Sequence, residues 1–436
     1  MSTLDAVTGA EALCARLRET VLPEQGRIPQ FIYTDPDVYR LEQRRIFGRT
    51  WLFVAHESEL VEPGDFVCRD MGEQAVIVAR GDDGEIRVFL NSCRHRGMRI
   101  TTEDYGNATM WRCPYHGYTY ANYGTFMGTP FERFAYPGGL DREALRLIEA
   151  RTESYKGLVF ANWDAEAEPL EEFLGDLRWY LDIFAGRAEM EISHVAQRWI
   201  VPSAWKLPAE NFASDAYHTA TAHSFLAKLG MVSGVDFGRV GYHVCPGNGH
   251  GLGIGVHQDD FSYFPEELRE EYSRRLSPDQ LALLDRIKNF HGNVFPNLSF
   301  LIPNFIEVDG KRVSGMMLRL WQPMGPDRLQ VWSWHMVERD APEWWKALGR
   351  RMYAQTFGMA GMFDQDDTEN WEAQSRNSNT ALARDDEVLL DYTMGLHQEP
   401  LADFPGPGTV YDGKFSEAAA RSFYRAWLDR MVDGRQ

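Results

Sequence analysis

Cysteine is scarce in this chain: five in 436 residues, at positions 14, 68, 93, 113 and 245. An odd number so thinly spread excludes a disulfide framework, so a special cysteine here is a metal ligand or a plain core residue. Positive charge is also short, with 45 Lys+Arg against 64 Asp+Glu for a net charge of −19. That balance opposes non-specific binding to phosphate backbones or anionic membranes, so nucleic acid is not an expected partner. No uncharged apolar run reaches the ~18 residues that a membrane-spanning helix needs. The start, MSTLDAVTGAEALCARLRETVL, lacks the apolar segment of a signal peptide, and a soluble, cytoplasmic protein is expected. Also missing is a Gly-x-Gly-x-x-Gly between a strand and a helix. The glycine-rich stretch from Pro246 to Gly253 has no Walker lysine and reads as a loop, so this chain is not expected to bind NADH itself.

The length predicts two or three domains. Residues 11–22 and 36–48 carry helical apolar spacing, the second with Asp35 or Asp37 placed to cap it. The texture then turns to short β runs, Phe66–Arg69, Ala75–Arg80, Ile86–Asn91, Thr109–Cys113 and Gly157–Trp163, with a Gly81-Asp-Asp-Gly84 hairpin turn. Beyond the acidic stretch Asp164–Glu172, helices are expected over Leu170–Ile183, Pro208–Phe225, Pro265–Lys288, Trp344–Phe357 and Ser416–Met431. Strands are expected over Arg312–Trp321 and Leu329–Val337. The expectation is an α+β protein. It would comprise an N-terminal helical segment, 1–40, packing with the last domain; a small all-β domain, 41–165; and a larger α+β domain, 166–436, with an antiparallel sheet flanked by helices.

Two short pairs carry the first chemical signal: Cys93-Arg-His95-Arg96-Gly97 and Cys113-Pro-Tyr-His116-Gly117, with 17 residues between His95 and Cys113. Each pair offers one sulfur and one nitrogen. A Rieske [2Fe–2S] cluster takes two thiolates on one iron and two imidazoles on the other, so two facing loops of this composition suit it. Gly97, Pro114 and Gly117 suit tight loops whose backbone N–H groups approach the cluster sulfurs. A structural Cys₂His₂ zinc site is the alternative, although zinc fingers usually group Cys with Cys and His with His.

The second signal is Glu210-Asn211-Phe-Ala-Ser-Asp215-Ala-Tyr217-His218-Thr-Ala-Thr-Ala-His223. On a continuous helix His218 and His223 would lie about 140° apart, so they can share a metal only if the helix is bulged or broken. Two histidines and one carboxylate on one face of an iron leave positions open for dioxygen. The carboxylate must come from elsewhere, and the run Phe363-Asp364-Gln365-Asp366-Asp367-Thr-Glu369 offers several that spacing does not separate.

With these motifs the chain resembles the α subunits of Rieske non-haem iron aromatic-ring dioxygenases, in the naphthalene and biphenyl dioxygenase group. The resemblance covers nearly the whole chain, including Ile32–Asp35, Arg45–Trp51, Val294–Phe300, Gln365–Trp371 and Asp403–Gly406. It implies that Cys93, His95, Cys113 and His116 hold the cluster, and that His218, His223 and Asp367 hold a mononuclear Fe(II). It also makes Asp215 a bridge between its own iron-ligating histidine and His116 of a neighbouring α subunit, and places Asn211 near the iron. Three α subunits with three small β subunits are implied, supplied with electrons by a ferredoxin and a ferredoxin reductase, with NADH as ultimate donor. Arg94, Arg96, Arg99 and Arg112 flank the cluster ligands and either dock an acidic ferredoxin or pair with local carboxylates.

The expected activity is cis-dihydroxylation of an aromatic ring, with a hydrocarbon favoured. The rivals are a Rieske monooxygenase or demethylase, a dioxygenase acting on an aromatic acid and, furthest off, a non-catalytic electron carrier. By matched position, Phe212, Ala213, Thr219, His291, Asn293, Phe357 and Phe363 are expected to line an apolar substrate pocket.

Overall fold

The computed structural model describes residues 3–225, 240–257, 264–304, 306–385 and 388–433. The fold is α+β, and the chain divides into a compact unit of residues 47–170 and another made of 1–46 with 171–436. Among the described residues, no helix is long and apolar enough to cross a membrane.

In the unit 47–170 a seven-stranded sheet runs in the order Leu52–His56, Leu158–Asn162, Glu149–Tyr155, Ile86–Leu90, Gln74–Arg80, Asp65–Met71, Tyr105–Asn107, with antiparallel neighbours throughout. The expected hairpin turns at Gly84, whose φ of 85° suits glycine. A second sheet joins Met110–Arg112, Thr119–Ala121 and Phe126–Gly128. Phe66, Ile77, Phe89, Trp111, Tyr118, Tyr120 and Phe126 form one core cluster, and it takes in Cys93 and Cys113. The two cysteines are thus placed by ordinary apolar packing.

The other unit is built on a nine-stranded antiparallel sheet. Its path is Met190–Ile192, Arg328–Glu338, Met316–Gly325, Leu298–Pro303, Ile287–Val294, His250–Val256, Gly241–Gly247 and Thr409–Asp412, with Gln197–Val201 also pairing along Arg328–Glu338. The helix Lys206–Ser214 packs on His250–Val256 and Ile287–Val294, with the C-terminal helix Ala418–Val432 beside it. Glu42 fastens this arrangement. Buried on the helix Pro36–Arg45, which Asp35 caps, its carboxylate accepts from Lys206 Nζ at 2.6 Å, Trp205 Nε1 at 2.9 Å and Trp427 Nε1 at 2.7 Å. Four bonds' worth of acceptor capacity nearly filled in this way satisfies a buried charge that would otherwise be costly.

Several expected elements are interrupted, each for a local reason. Leu170–Ile183 is two short helices, Leu170–Leu174 and Leu177–Leu181, parted at Gly175 with φ 49°. Pro265–Lys288 contains Arg269–Arg275 and Pro278–Arg286, parted where Ser277 caps the second helix ahead of Pro278, and Ile287 already begins a strand. The glycine-rich stretch read as a loop is a hairpin between Gly241–Gly247 and His250–Val256. Its tip turns through left-handed Gly247, Asn248 and Gly249.

Candidate cluster site and metal centre

The two Cys/His loops share one backbone pattern. Cys93 N donates to Met98 O and Gly97 N to Cys93 O; likewise Cys113 N donates to Tyr118 O and Gly117 N to Cys113 O, at 2.8–3.0 Å. Gly97 and Gly117 close these turns with φ of 70° and 72°, a conformation in which a Cβ is strained. The His95 and His116 rings lie 4.4 Å apart, and His95 stacks on Tyr118 at 4.7 Å. Tyr120 Oη lies 3.4 Å from Cys93 Sγ and accepts from Arg94 N. Burial raises the Cys113 thiol, its neighbour Cys93 adds to that, and the amides of Tyr115 and His116 donate toward its sulfur. His95 Nδ1 is buried without a hydrogen-bond partner, an atom that a metal would satisfy. The donor set therefore fits a cluster with sulfur on one side and nitrogen on the other. Arg94, Arg96, Arg99 and Arg112 are exposed, and among the described residues none forms an ion pair.

At the second site the helix Lys206–Ser214 ends where Asp215 takes φ −83°, ψ 87°, and His218–Ala220 continues as a single 3₁₀ turn. The break allows what a straight helix forbids. His218 Nε2 and His223 Nε2 stand 3.3 Å apart, and Asp367 Oδ1 lies 3.4 Å from the first and 3.3 Å from the second. Asp367 comes from the helix Met362–Ser378, whose inward face carries Phe363, Asp364, Asp367 and Trp371. Asp364, one turn earlier, is drawn aside by the buried Arg319 at 2.7 Å. Burial pushes it up to about 7 against that partner.

Each imidazole is also held from behind. Asp215 Oδ2 lies 3.2 Å from His218 Nδ1, Asp215 Oδ1 accepts from His218 N, and Asn211 Nδ2 reaches Asp215 Oδ2 at 3.3 Å. Asp366 Oδ2 lies 3.4 Å from His223 Nδ1. A carboxylate on the rear nitrogen fixes the ring and turns Nε2 to the centre. Burial alone would lower His218, but Asp215 and Asp367 outweigh it and raise it to about 10. Asp367 lies well below the carboxylate range because its bonds from His218 and His223 outweigh burial. One anionic and two imidazole donors converging on a point, with no fourth side chain among the described residues, fit a divalent iron that keeps open positions.

Beside this centre lies a cavity of about 70 Å³, partly open to solvent and lined among the described residues by Phe212, Thr219, His291, Phe357 and Phe363. Those five expected lining residues are brought together, with Asn211, Asp215 and the three donors. Ala213 and Asn293 are not part of that wall. Ala213 packs against Gly251 in the sheet. Asn293 is fully buried, donating to Pro296 O and accepting from Ser299 Oγ. Asn289 and Leu301 also line the cavity, and sequence reasoning missed both. Asn289 shares a strand face with His291 two residues on, and Leu301 pairs across from His291, so a strand assigned there would have pointed to them.

Comparison with known proteins agrees with this architecture. Residues 50–137 match the Rieske [2Fe-2S] domain family, and residues 170–433 match the catalytic domain of the ring-hydroxylating α subunit. The chain is 36% identical to chlorobenzene dioxygenase subunit alpha of Cupriavidus sp. (strain PS12), covering 96% of this chain and 94% of that one. It is 35% identical to N,N-dimethyl phenylurea N-demethylase subunit alpha of Sphingobium sp. (strain YBL2), covering 96% and 94%. The crystal structure of naphthalene 1,2-dioxygenase from Rhodococcus sp. bound to indole superposes with a TM-score of 0.92 at 39% identity, over 97% of this chain and 99% of that one. These matches carry the family's [2Fe–2S] cluster and mononuclear iron, and the need for partner subunits and electron-transfer partners. The chain belongs to the Rieske-type ring-hydroxylating oxygenases, as the α subunit of a terminal oxygenase.

Proposed function

We propose that this α subunit catalyses cis-dihydroxylation of an apolar aromatic ring, Cys93, His95, Cys113 and His116 holding the cluster and His218, His223 and Asp367 the iron. When bound, the two centres supply single electrons and dioxygen activation, which an intact ring does not undergo unaided. The residues of the chain bind, orient and tune. Phe212, Phe357, Phe363 and Leu301 offer an apolar slot for the ring beside the three donors, where exclusion of water favours a flat apolar substrate. Asp215 and Asp366 hold the two imidazoles in the tautomer that presents Nε2.

Asp215 is also the residue we assign to electron entry. Its side chain is 40% exposed, so an oxygen can reach outward while the carboxylate grips His218. This supports a bridge to His116 of a neighbouring α subunit, and with it a trimer of α subunits completed by three β subunits. Four exposed arginines around the cluster ligands, unpaired with carboxylates among the described residues, support docking of an acidic ferredoxin that is served by its reductase.

The observation that carries the reading is the trio of donor atoms 3.3–3.4 Å from one another, open on the side of an aromatic cavity. Reconstitution with ferredoxin, reductase, NADH and ¹⁸O-labelled dioxygen tests it. Both labelled atoms are expected in a cis-diol of naphthalene or biphenyl. A second reading, monooxygenation or N-demethylation, is favoured by the relative named for N-demethylation. One labelled atom in the ring product, or formaldehyde from an N-methyl aryl urea with no diol from any arene, would establish it instead.

A further inference from the structure

Behind the part of the cavity wall formed by Asn289 and His291 runs a strand with glycine at every second position. In His250–Val256, Gly251, Gly253 and Gly255 alternate, so all three present the same face. A Cβ on Gly253 would lie 2.3 Å from His291 Nε2, and one on Gly255 would lie 2.1 Å from Asn289 Oδ1. Neither glycine has a positive φ among those recorded, so the need is for room. The paired strand fills that room: Asn289 stands opposite Gly255, and His291 opposite Gly253. Both line the cavity.

The orientation of each side chain is settled by what holds it. His291 Nδ1 bonds the Phe212 carbonyl at 2.9 Å and must donate there. Burial, then Lys414, lowers His291 to about 3, so the ring is neutral and Nε2 carries a lone pair. Asn289 Oδ1 accepts from Lys414 Nζ at 2.9 Å. With its oxygen committed to the lysine, the amide turns its NH₂ the other way. Lys414 itself is 3% exposed and has no ion pair among the described residues. Burial, with Lys288 adding to it, holds the amine down to about 7. A lysine this deep with no carboxylate is a costly way to fill space, since an apolar side chain of similar size would pack there at lower cost. Its hydrogen bond fixes Asn289.

We propose that Asn289 Nδ2 as donor and His291 Nε2 as acceptor, neighbours on one strand face, form a polar edge of the cavity that recognises a hydroxyl group carried by the aromatic substrate. This rests on the reading of the cavity as the substrate site of an oxygenase. A hydroxyl accepts from the amide and donates to the imidazole. A carboxylate has no hydrogen for His291, and a bare hydrocarbon covers both polar atoms without pairing either, a loss worth about tenfold in affinity.

The test is calorimetric titration of the anaerobic, metal-loaded oxygenase with three probes: indane, 5-indanol and indane-5-carboxylate. In the parent protein 5-indanol should bind about tenfold tighter than indane. Asn289→Leu should bring the two within about twofold by weakening 5-indanol alone. Asn289→Asp, which gains an ion pair with Lys414 and so keeps the fold, should lower the preference without abolishing it, because the single hydroxyl hydrogen then meets two acceptors and no donor. Equal binding of indane and 5-indanol by the parent protein would overturn the inference. So would tightest binding of the carboxylate, or equal weakening of both probes by the variants. Product analysis separates the two readings: the binding pattern with no cis-diol from any probe keeps this edge and sinks the dihydroxylation, while a cis-diol from indane without a hydroxyl preference does the reverse.

Discussion

The two candidate metal sites are built by opposite means. The cluster loops lie within 25 residues of sequence and owe their shape to backbone hydrogen bonds that repeat from one loop to the other. The iron donors come from a broken helix and from a second helix about 150 residues later, and side chains position them: Asp215, Asp366 and Arg319 near the centre, Glu42 and Lys206 beneath it. A site made by the backbone tolerates change around it. One made by buried polar side chains depends on each partner, because a lost partner leaves a desolvated group unpaired.

Removing one ligand from each site breaks the comparison most severely. Asp367→Ala should abolish turnover, to below about a thousandth of the parent rate, and lose the mononuclear iron while the cluster's visible absorption stays. Cys113→Ser should do the reverse, losing the absorption while chelator-accessible iron remains at the three donors. Loss of both kinds of iron in either variant would show that the sites fold together. Next in size, Asp366→Asn should weaken iron binding by about 10- to 100-fold, as loss of an outer carboxylate on a ligating histidine does, with the cluster spectrum unchanged. Competition against a graded chelator reads it.

The smallest effect is on stability. Glu210, on the same helix as Asn211, is half-buried with its Oε2 shut off from solvent; it accepts from Tyr392 at 2.7 Å, and desolvation raises it from 4.5 to about 8. A carboxyl raised in the folded state binds a proton there that the unfolded chain has already released, so stability is greatest at low pH and falls as pH rises from about 4.5 through 8. Glu210→Gln should flatten that slope by up to a few kcal/mol in urea titrations at pH 5 and pH 8. An unchanged slope would show that the helix is anchored by Glu42 alone.

The same contrast explains what the sequence disclosed. The two loops proposed to hold the cluster were legible because mixed Cys/His pairs and their glycines are local, and a backbone-built loop is written where it occurs. For the iron, spacing alone left Asp364, Asp366 and Asp367 undecided. Helical phase held a clue, since Phe363, Asp367 and Trp371 recur every four residues on the inward face. Arg319, which takes Asp364 out of contention, sits on a strand 45 residues away, and no local pattern announces it. The strands of the main sheet were the least visible part. His250–Val256 and Ile287–Val294 are buried almost throughout, so they lack the polar alternation that marks a half-exposed strand, and glycine suggested turns. Asn289 and Leu301 went unnoticed with them.

That bare strand has a consequence for how the protein can change. A wall made of side chains can be reshaped one substitution at a time, but the strand of Gly251, Gly253 and Gly255, which runs beside Asn289 and His291, offers nothing to trim. Any methyl group added there lands on Ala419 and Ala213, on His291 or on Asn289. Diversity in what the cavity accepts must therefore be written on the residues that line it, while the glycine strand behind them stays blank.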